Sequence, residues 1–156
     1  MDLILWRHAD AADGYPDAER ELTEKGHAQA KRMAEWLNAR LPQDVLILAS
    51  PATRAQQTAA ALRRKVVTCD AVDTSADAQS LLAAAGWPHG ERTILIVGHQ
   101  PTLGRAASLL LSGAEGNMSF KKGAVWWITA RPRGGSPHAA LRAVMAPDLL
   151  RKDRNV

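Results

Sequence analysis

Length, composition and charge already limit what this protein can be. The chain has 156 residues, of which 46% are hydrophobic and 23% are charged, so it suits one globular domain with a sizeable core over residues 1–156. Its 20 Lys and Arg residues outnumber 16 Asp and Glu residues, and the net charge of +4 favours anionic ligands. The only cysteine, Cys69, excludes an intrachain disulfide and a cysteine-based metal cluster, and no apolar run reaches the length of a signal-peptide core or a membrane span. We therefore expect a cytoplasmic protein with no membrane partner.

Short apolar runs alternate with helical patterns along most of the chain. Four runs are typical of buried strands, at residues 3–6, 45–49, 66–69 and 93–97. Four helices are predicted between and after these runs. The first has Thr23 as its N-cap and ends at Pro42, and the second has Ser50 as its N-cap and begins at Pro51. The third covers residues 76–85, and the fourth runs from Pro101 to about Leu111. This alternation predicts an α/β fold around a mostly parallel sheet.

The pattern changes after Gly113. Residues 123–130 and 139–146 are strand-like, and residues 131–137 between them are rich in Gly and Pro, which predicts two strands joined by a turn-rich linker at the edge of the sheet. Trp126 and Trp127 are adjacent, so in a strand they face opposite sides and serve core packing or edge burial better than a stacking platform. The tail over residues 151–156 is expected to fray.

Three segments leave the carboxyl ends of predicted strands with polar side chains. They are Arg7-His8, the stretch over residues 50–58 that contains Arg54, and the stretch over residues 98–101 that contains His99. Ligands of open α/β sheets bind at that edge, so these segments would converge on one pocket beside two helix N-termini. A histidine that attacks phosphorus needs a fixed cation to hold the anionic group. The expected ligand is a phosphoryl group.

These segments resemble the motifs of the histidine phosphatase superfamily, which is also called phosphoglycerate mutase-like. Leu5-Trp6-Arg7-His8-Ala9 is similar to its strand-Arg-His-Gly motif, and residues 50–58 match its Ser-Pro-x-x-Arg-Ala-x-Gln-Thr motif. Residues 98–101 match its Gly-His-x-Pro motif, and residues 20–26 are similar to the Arg-x-Leu-Thr-x-x-Gly stretch before its first helix. The motifs follow in the family's order over the full length of the chain.

The resemblance implies a fold and a mechanism. The fold would be a three-layer α/β/α sandwich of the phosphoglycerate mutase-like kind. His8 would be the nucleophile that forms a phosphohistidine intermediate, while Arg7, Arg54 and His99 would bind the phosphoryl oxygens. Neutral His8 would attack, and a cationic His99 would stabilise the transition state. Neither a metal nor a cofactor would be required.

Two departures from the family pattern bear on the substrate. Ala9 replaces the usual glycine, which brings a methyl group close to the site. Many relatives carry a glutamate acid after the third strand, and here that region offers only aspartates, of which Asp73 and Asp77 are candidate acids but are as easily a helix cap and a solvated loop charge. Arg20 is a candidate for the pocket rim. Imidazole is a better leaving group than an alkoxide, so a missing acid favours phosphohistidine.

The short stretch between Arg54 and His99 leaves no room for a long lid, so the pocket should be open to a phosphorylated side chain of another protein. The chain therefore resembles the compact SixA-type branch, the phosphohistidine phosphatases. Two alternatives remain: a phosphatase of small phosphate esters with an aspartate acid, and a catalytically silent phosphate-binding module. We expect a monomer and no nucleic-acid partner, because the basic runs at residues 63–65 and 121–122 are typical of solvated faces.

Overall fold

One six-stranded sheet carries helices on both of its faces. The computed structural model describes residues 1–133 and 136–151. The strands are β1 (Asp2–Arg7), β2 (Leu46–Ala49), β3 (Val67–Thr68), β4 (Ile94–Gly98), β5 (Val125–Arg133) and β6 (Ser136–Met145). The α-helices are α1 (Glu24–Asn38), α2 (Thr53–Ala60), α3 (Ala78–Ala85) and α4 (Thr102–Ser112). In the described part of the chain, no helix is long and apolar enough to cross a membrane.

The strand order in the sheet is β3-β2-β4-β1-β5-β6, so β1 and β4 are neighbours at its centre. β1 pairs with β4, β4 with β2, and β2 with β3, all in parallel, whereas β5 and β6 complete the sheet in antiparallel pairing. The predicted mostly parallel sheet is confirmed. The carboxyl ends of β1, β2 and β4 therefore lie at one edge.

The period of two along β1 divides the core into two layers. Ile4 and Trp6 pack in a cluster with α1 and α2, whereas Leu3 and Leu5 pack in a second cluster with α3 and α4. All four side chains are fully buried. Helices thus cover both faces, and the predicted three-layer α/β/α arrangement is confirmed.

The tryptophan pair at the start of β5 follows the same alternation. Trp127 lies in the α1 layer and meets the Trp36 ring edge-on, with the ring centroids 6.4 Å apart. Trp126 lies on the opposite face and stacks on Phe120 with a centroid distance of 4.7 Å. Both rings serve packing, as their spacing predicts.

Helix α1 begins where the sequence predicts and ends earlier. The Thr23 hydroxyl accepts a hydrogen bond from the Gly26 N–H at 3.0 Å, so Thr23 is the N-cap. The helix ends at Asn38 rather than at Pro42, because the backbone N–H groups of Arg40 and Leu41 both turn back to the Leu37 carbonyl. Leu41 nevertheless remains buried against the core.

Two helix starts differ from the prediction because polar side chains have other partners. α2 begins at Thr53 after Ala52 rather than at Ser50, whose hydroxyl instead accepts from the Ala52 N–H and bonds to His99. α3 begins at Ala78 rather than at residue 76, because the Asp77 carboxylate accepts from the Ser80 N–H at 2.8 Å and caps the helix there.

The predicted linker between the last two strands is wrong at both ends. β5 continues to Arg133 and β6 begins at Ser136, and the two strands stay paired from Val125 opposite Met145 to Arg133 opposite Ser136. Only residues 134–135 of that linker fall outside the described residues. The predicted strand at residues 66–69 is reduced to the exposed pair of β3, and all of the predicted frayed tail except Arg151 lies outside the described residues.

Two helical glycines lie in close contact with backbone carbonyls of neighbouring segments. A Cβ at Gly26 of α1 would overlap the Asp10 carbonyl, and a Cβ at Gly104 of α4 would overlap the Met118 carbonyl. Gly26→Ala and Gly104→Ala should each lower the free energy of unfolding by roughly 1–3 kcal/mol, as overpacking does. Chemical denaturation measures this loss. Gly14→Ala is the control, because its Cβ would meet nothing closer than Arg20 Cγ at 3.9 Å; a loss as large in Gly14→Ala would contradict the steric explanation.

Candidate active site

The carboxyl ends of β1, β2 and β4 open into one small pocket. Its volume is about 270 Å³, and its lining includes Arg7, His8, Arg54 and His99, which the sequence analysis selects. The His8 and His99 rings lie next to each other, with centroids 5.2 Å apart and planes inclined by 55°. Both rings are more than nine-tenths buried. The structure therefore brings the three predicted segments together.

The backbone of the next residue holds His8 in one tautomer. Its Nδ1 lies 2.8 Å from the Ala9 carbonyl oxygen, which can only accept, so the ring proton is on Nδ1. In the neutral ring, Nε2 then carries the free electron pair. Burial lowers the pKa of His8 to about 4, and the positive charges of neighbouring side chains act in the same direction. The imidazole is neutral at pH 7 and has a free Nε2.

His99 is also neutral before an anion binds, and the cationic state expected for it in the transition state stays a prediction. Burial lowers its pKa to about 4, and the charge of Arg54 adds to this effect. Its Nε2 lies 2.7 Å from the Ser50 hydroxyl, while its buried Nδ1 has no hydrogen-bond partner among the described residues. Negative charge in the pocket would raise the pKa of His99 and favour the protonated ring.

Arg7 and Arg54 bring two guanidinium groups to the same pocket. Arg7 ends β1 and donates from Nη1 to the Phe120 carbonyl at 2.6 Å. Arg54 lies in the first turn of α2, and its side chain is only 5% exposed. The Nε atoms of both residues are buried without a partner in the described part of the chain. Buried N–H donors without acceptors are costly, and a polyanion bound in the pocket offers the acceptors that they lack.

Asp17 is a site residue that sequence reasoning missed. Arg54 donates from Nη1 to the Asp17 carbonyl at 2.9 Å and from Nη2 to its carboxylate at 3.2 Å. Hydrogen bonds from Arg20 and from Arg54 lower the pKa of Asp17, so its carboxylate stays ionised. Nothing in the sequence separates Asp17 from the neighbouring Asp13 and Glu19, because its importance arises from a contact 37 positions away along the chain.

Arg20 and the two candidate acids occupy different places. Arg20 lines the pocket, and its Nε lies 3.0 Å from the Asp17 carboxylate. Asp77 is exposed, caps α3 and is not part of the pocket lining. Asp73 also lies outside the lining, and its carboxylate contacts the Ser50 hydroxyl at 3.5 Å and accepts from the N–H of the lining residue Thr74 at 2.7 Å. Neither aspartate faces the pocket directly.

Thr58 locks helix α2 onto the end of β1. Its hydroxyl donates to the Arg54 carbonyl at 2.7 Å and accepts from the Ala9 N–H at 3.1 Å. Gln57 accepts from the Leu22 N–H at 2.7 Å, and Gln56 donates to the Ser50 carbonyl at 2.8 Å. These side chains fix the helix that carries Arg54 relative to His8.

The alanine that replaces the usual glycine is accommodated away from the pocket. Ala9 is fully buried and packs with Leu22 and Ala30 in a small separate cluster. It does not line the pocket. No set of three or more His, Cys, Asp or Glu side chains with the geometry of a metal site occurs within residues 1–133 and 136–151.

The two lowered histidine pKa values predict how stability depends on pH. In the unfolded chain both rings take up protons near pH 6.5, whereas the folded rings do so only near pH 4. The unfolded state therefore binds more protons between these values, and stability falls as pH drops from 6.5 to 4. The slope should reach about 1.4 kcal/mol per pH unit for each histidine.

Urea unfolding between pH 7 and pH 4.5 measures this slope. The double variant His8→Gln/His99→Gln should lose most of it, while His27→Gln, which changes an exposed histidine of α1, should retain it. Equal slopes in the wild type and the double variant would show that the pair is not buried in its neutral form.

Comparisons with known proteins agree with this geometry. The family model of the histidine phosphatase superfamily (branch 1) matches residues 3–76. The phosphohistidine phosphatase SixA of Escherichia coli (strain K12) is 28% identical over 147 residues, which cover 86% of this chain and 88% of that protein. An uncharacterised protein of Picosynechococcus is 32% identical and covers 80% of this chain, with 82% of its own length matched.

Solved structures give the same result for the fold. The protein histidine phosphatase SixA complexed with tungstate superposes with a TM-score of 0.82 at 26% identity, covering 97% of this chain and all of that chain. A phosphoserine phosphatase of Entamoeba histolytica has a TM-score of 0.67 at 19% identity, covers 92% of this chain and 95% of that chain, and shows the shared fold alone. This chain belongs to the histidine phosphatase superfamily and is of the SixA type.

Proposed function

We propose that this protein removes the phosphoryl group from phosphohistidine on another protein through a covalent phospho-His8 intermediate. The observation that carries the proposal is the state of His8, a buried neutral imidazole whose Nδ1 is bound to the Ala9 carbonyl beside two guanidinium groups. The similarity to SixA of Escherichia coli supports the substrate class.

In the first step, the electron pair on His8 Nε2 attacks phosphorus. A bond forms between Nε2 and phosphorus, and the bond between phosphorus and the substrate imidazole breaks. If the substrate ring is protonated on its other nitrogen, it leaves as neutral imidazole and needs no acid from the enzyme. Arg7 and Arg54 bind the phosphoryl oxygens, and His99, protonated once the anion is bound, donates from Nδ1.

In the second step, water attacks phosphorus and the bond to His8 breaks. The electron pair returns to Nε2, and both water protons stay with the departing dihydrogen phosphate. The hydrogen bond from Nδ1 to Ala9 stabilises the positive charge that His8 carries while it is phosphorylated.

Of the two carboxylates that line the pocket, Asp13 and Asp17, the one that contacts Arg54 cannot act as an acid. Asp17 lines the pocket, but its ion pairs with Arg20 and Arg54 keep it ionised and unable to supply a proton. An alkoxide leaves poorly without protonation, whereas imidazole does not have that requirement. The expected preference is therefore for phosphohistidine over phosphate esters.

One contact supports the ester alternative. The Ser50 hydroxyl lies between His99 Nε2 and the Asp73 carboxylate, at 2.7 Å and 3.5 Å. Through this chain Asp73 would help to protonate His99, which could then pass a proton to an ester oxygen.

Asp73→Asn separates the two substrates. We expect it to change hydrolysis of phosphohistidine less than twofold, because the leaving imidazole needs no acid. Phosphate release from phosphohistidine and from an alkyl phosphate ester such as glycerol phosphate, whose alkoxide needs a proton to leave, gives the comparison when the two are measured side by side. Wild-type turnover that is faster on the ester, and a loss of about a hundredfold on the ester in Asp73→Asn, would favour the ester phosphatase instead.

Replacement of His8 tests the nucleophile. His8→Gln keeps a polar side chain of similar size but cannot form a phosphohistidine, so phosphate release from a phosphohistidine-bearing protein should fall to the uncatalysed rate. A coupled enzymatic assay of inorganic phosphate at neutral pH measures the release, because phosphohistidine is lost in acid. His27→Gln is the matched control, because it changes an exposed histidine outside the pocket lining. Turnover in His8→Gln near that of the wild type would refute the proposed intermediate.

A further inference from the structure

The loop between β1 and α1 forms one wall of the pocket. We call residues 11–22 the rim loop, since a β-bridge between Ala11 and Leu22 closes its base. Four of its residues, Ala11, Asp13, Asp17 and Arg20, line the pocket. A protein that inserts a phosphorylated side chain into the pocket must therefore pass this loop.

Internal contacts hold the rim loop in place. Arg20 donates from Nη1 to the Ala12 carbonyl at 3.3 Å and from Nε to the Asp17 carboxylate at 3.0 Å. The buried Arg54 binds Asp17 from the other side. The loop is therefore ordered before a partner binds, which reduces the conformational entropy lost on binding.

Tyr15 projects from the middle of this ordered loop into solvent. Its side chain is 97% exposed, which is the largest exposure among the large hydrophobic residues of the described chain. Tyr15 lies two positions from Asp13 and two from Asp17, both of which line the pocket. An exposed aromatic ring on an ordered loop beside a site is typical of an anchor residue in protein recognition.

The charge of the rim loop contrasts with that of the pocket behind it. Asp13, Asp17, Glu19 and Glu21 are exposed carboxylates, and Arg20 is the one cation among residues 11–22. The rim loop therefore carries a net negative charge, although the pocket lining also includes Lys122 and the whole chain carries a net charge of +4. An acidic rim attracts a partner whose surface around the phosphorylated residue is basic and repels an acidic one.

We propose that the rim loop is a docking surface for the protein substrate, with Tyr15 as its anchor and its carboxylates selecting basic residues beside the phosphohistidine. This inference rests on the proposed function and extends it from the phosphoryl group to the partner. It makes Tyr15 a determinant of affinity for protein substrates, with no part in the chemical step.

The test uses three phosphohistidine substrates that differ in length and in charge. They are free phosphohistidine, a nonapeptide with a central phosphohistidine flanked by Lys and Leu, and the same peptide with Glu in place of Lys. In the wild type, kcat/KM should be at least about tenfold higher for the Lys peptide than for the Glu peptide, and the difference should shrink in high salt.

Tyr15→Ala separates docking from catalysis. It should raise KM for the Lys peptide about tenfold, leave kcat unchanged, and leave turnover of free phosphohistidine unchanged. Glu19→Gln should reduce the preference for the Lys peptide. Leu141→Ala removes another exposed hydrophobic side chain, on β6, and should have no effect on any of the three substrates.

The outcomes that overturn the inference differ from those that overturn the proposed function. Equal turnover of both peptides, or an unchanged KM for the Lys peptide in Tyr15→Ala, would overturn the docking role alone. An equal loss on free phosphohistidine would also overturn it, since Tyr15 would then act at the site itself. No turnover of any of the three substrates by the wild type would overturn the proposed function, and the docking role with it.

Discussion

His8 can attack phosphorus only while its imidazole is uncharged, yet it lies buried beside the guanidinium groups of Arg7 and Arg54. That constraint links the fold to the chemistry. The neighbouring cations and the burial both oppose protonation of His8, while the Ala9 carbonyl keeps its remaining proton on Nδ1. The same cations that would hold a phosphoryl group thus also keep the proposed nucleophile in its neutral form.

The arrangement carries an energetic cost that an anion offsets. Arg7 Nε, Arg54 Nε and His99 Nδ1 are buried donors or acceptors without partners in the described part of the chain, and each such group costs about 1–3 kcal/mol. Hydrogen bonds from α2 to three other segments stabilise its position and offset part of this cost. They are made by Thr58, Gln57 and Gln56. Asp17 holds the Arg54 guanidinium from the open side. The site is therefore preorganised for a polyanion, which in the proposed reaction would lower the barrier because no reorganisation of these groups remains.

Much of this could be predicted from the sequence because the signals are local. The strands β1, β2 and β4 are short apolar runs, and polar residues follow each of them at once, so their convergence at one edge requires only that the strands be parallel neighbours. Thr23 caps α1 through a contact three residues away, which a sequence pattern can encode. The four candidate site residues Arg7, His8, Arg54 and His99 were found this way, and their catalytic roles stay a prediction.

The rest depends on contacts between distant parts of the chain. Ser50 fits the pattern of a helix cap, but its hydroxyl binds His99, which lies 49 positions away, and α2 starts at Thr53, two residues after the predicted start at Pro51. Pairing along the whole hairpin carries β5 and β6 through a segment whose Gly and Pro content predicts a loop. The neutral state of His99 results from its depth in the fold, and the choice of Asp17 among several loop acids results from the position of Arg54. No local sequence pattern predicts any of these effects.

The most direct test of the account is the chemical trapping of the intermediate. Wild-type enzyme would be mixed with an equal amount of a phosphohistidine-bearing protein labelled with ³²P, quenched in alkali within milliseconds, digested, and analysed by mass spectrometry under conditions that preserve phosphoramidate bonds. The account predicts a transient label on His8 that is stable to alkali and lost in acid. Label passing directly to inorganic phosphate with none on the enzyme, or appearing on any residue other than His8, would contradict it.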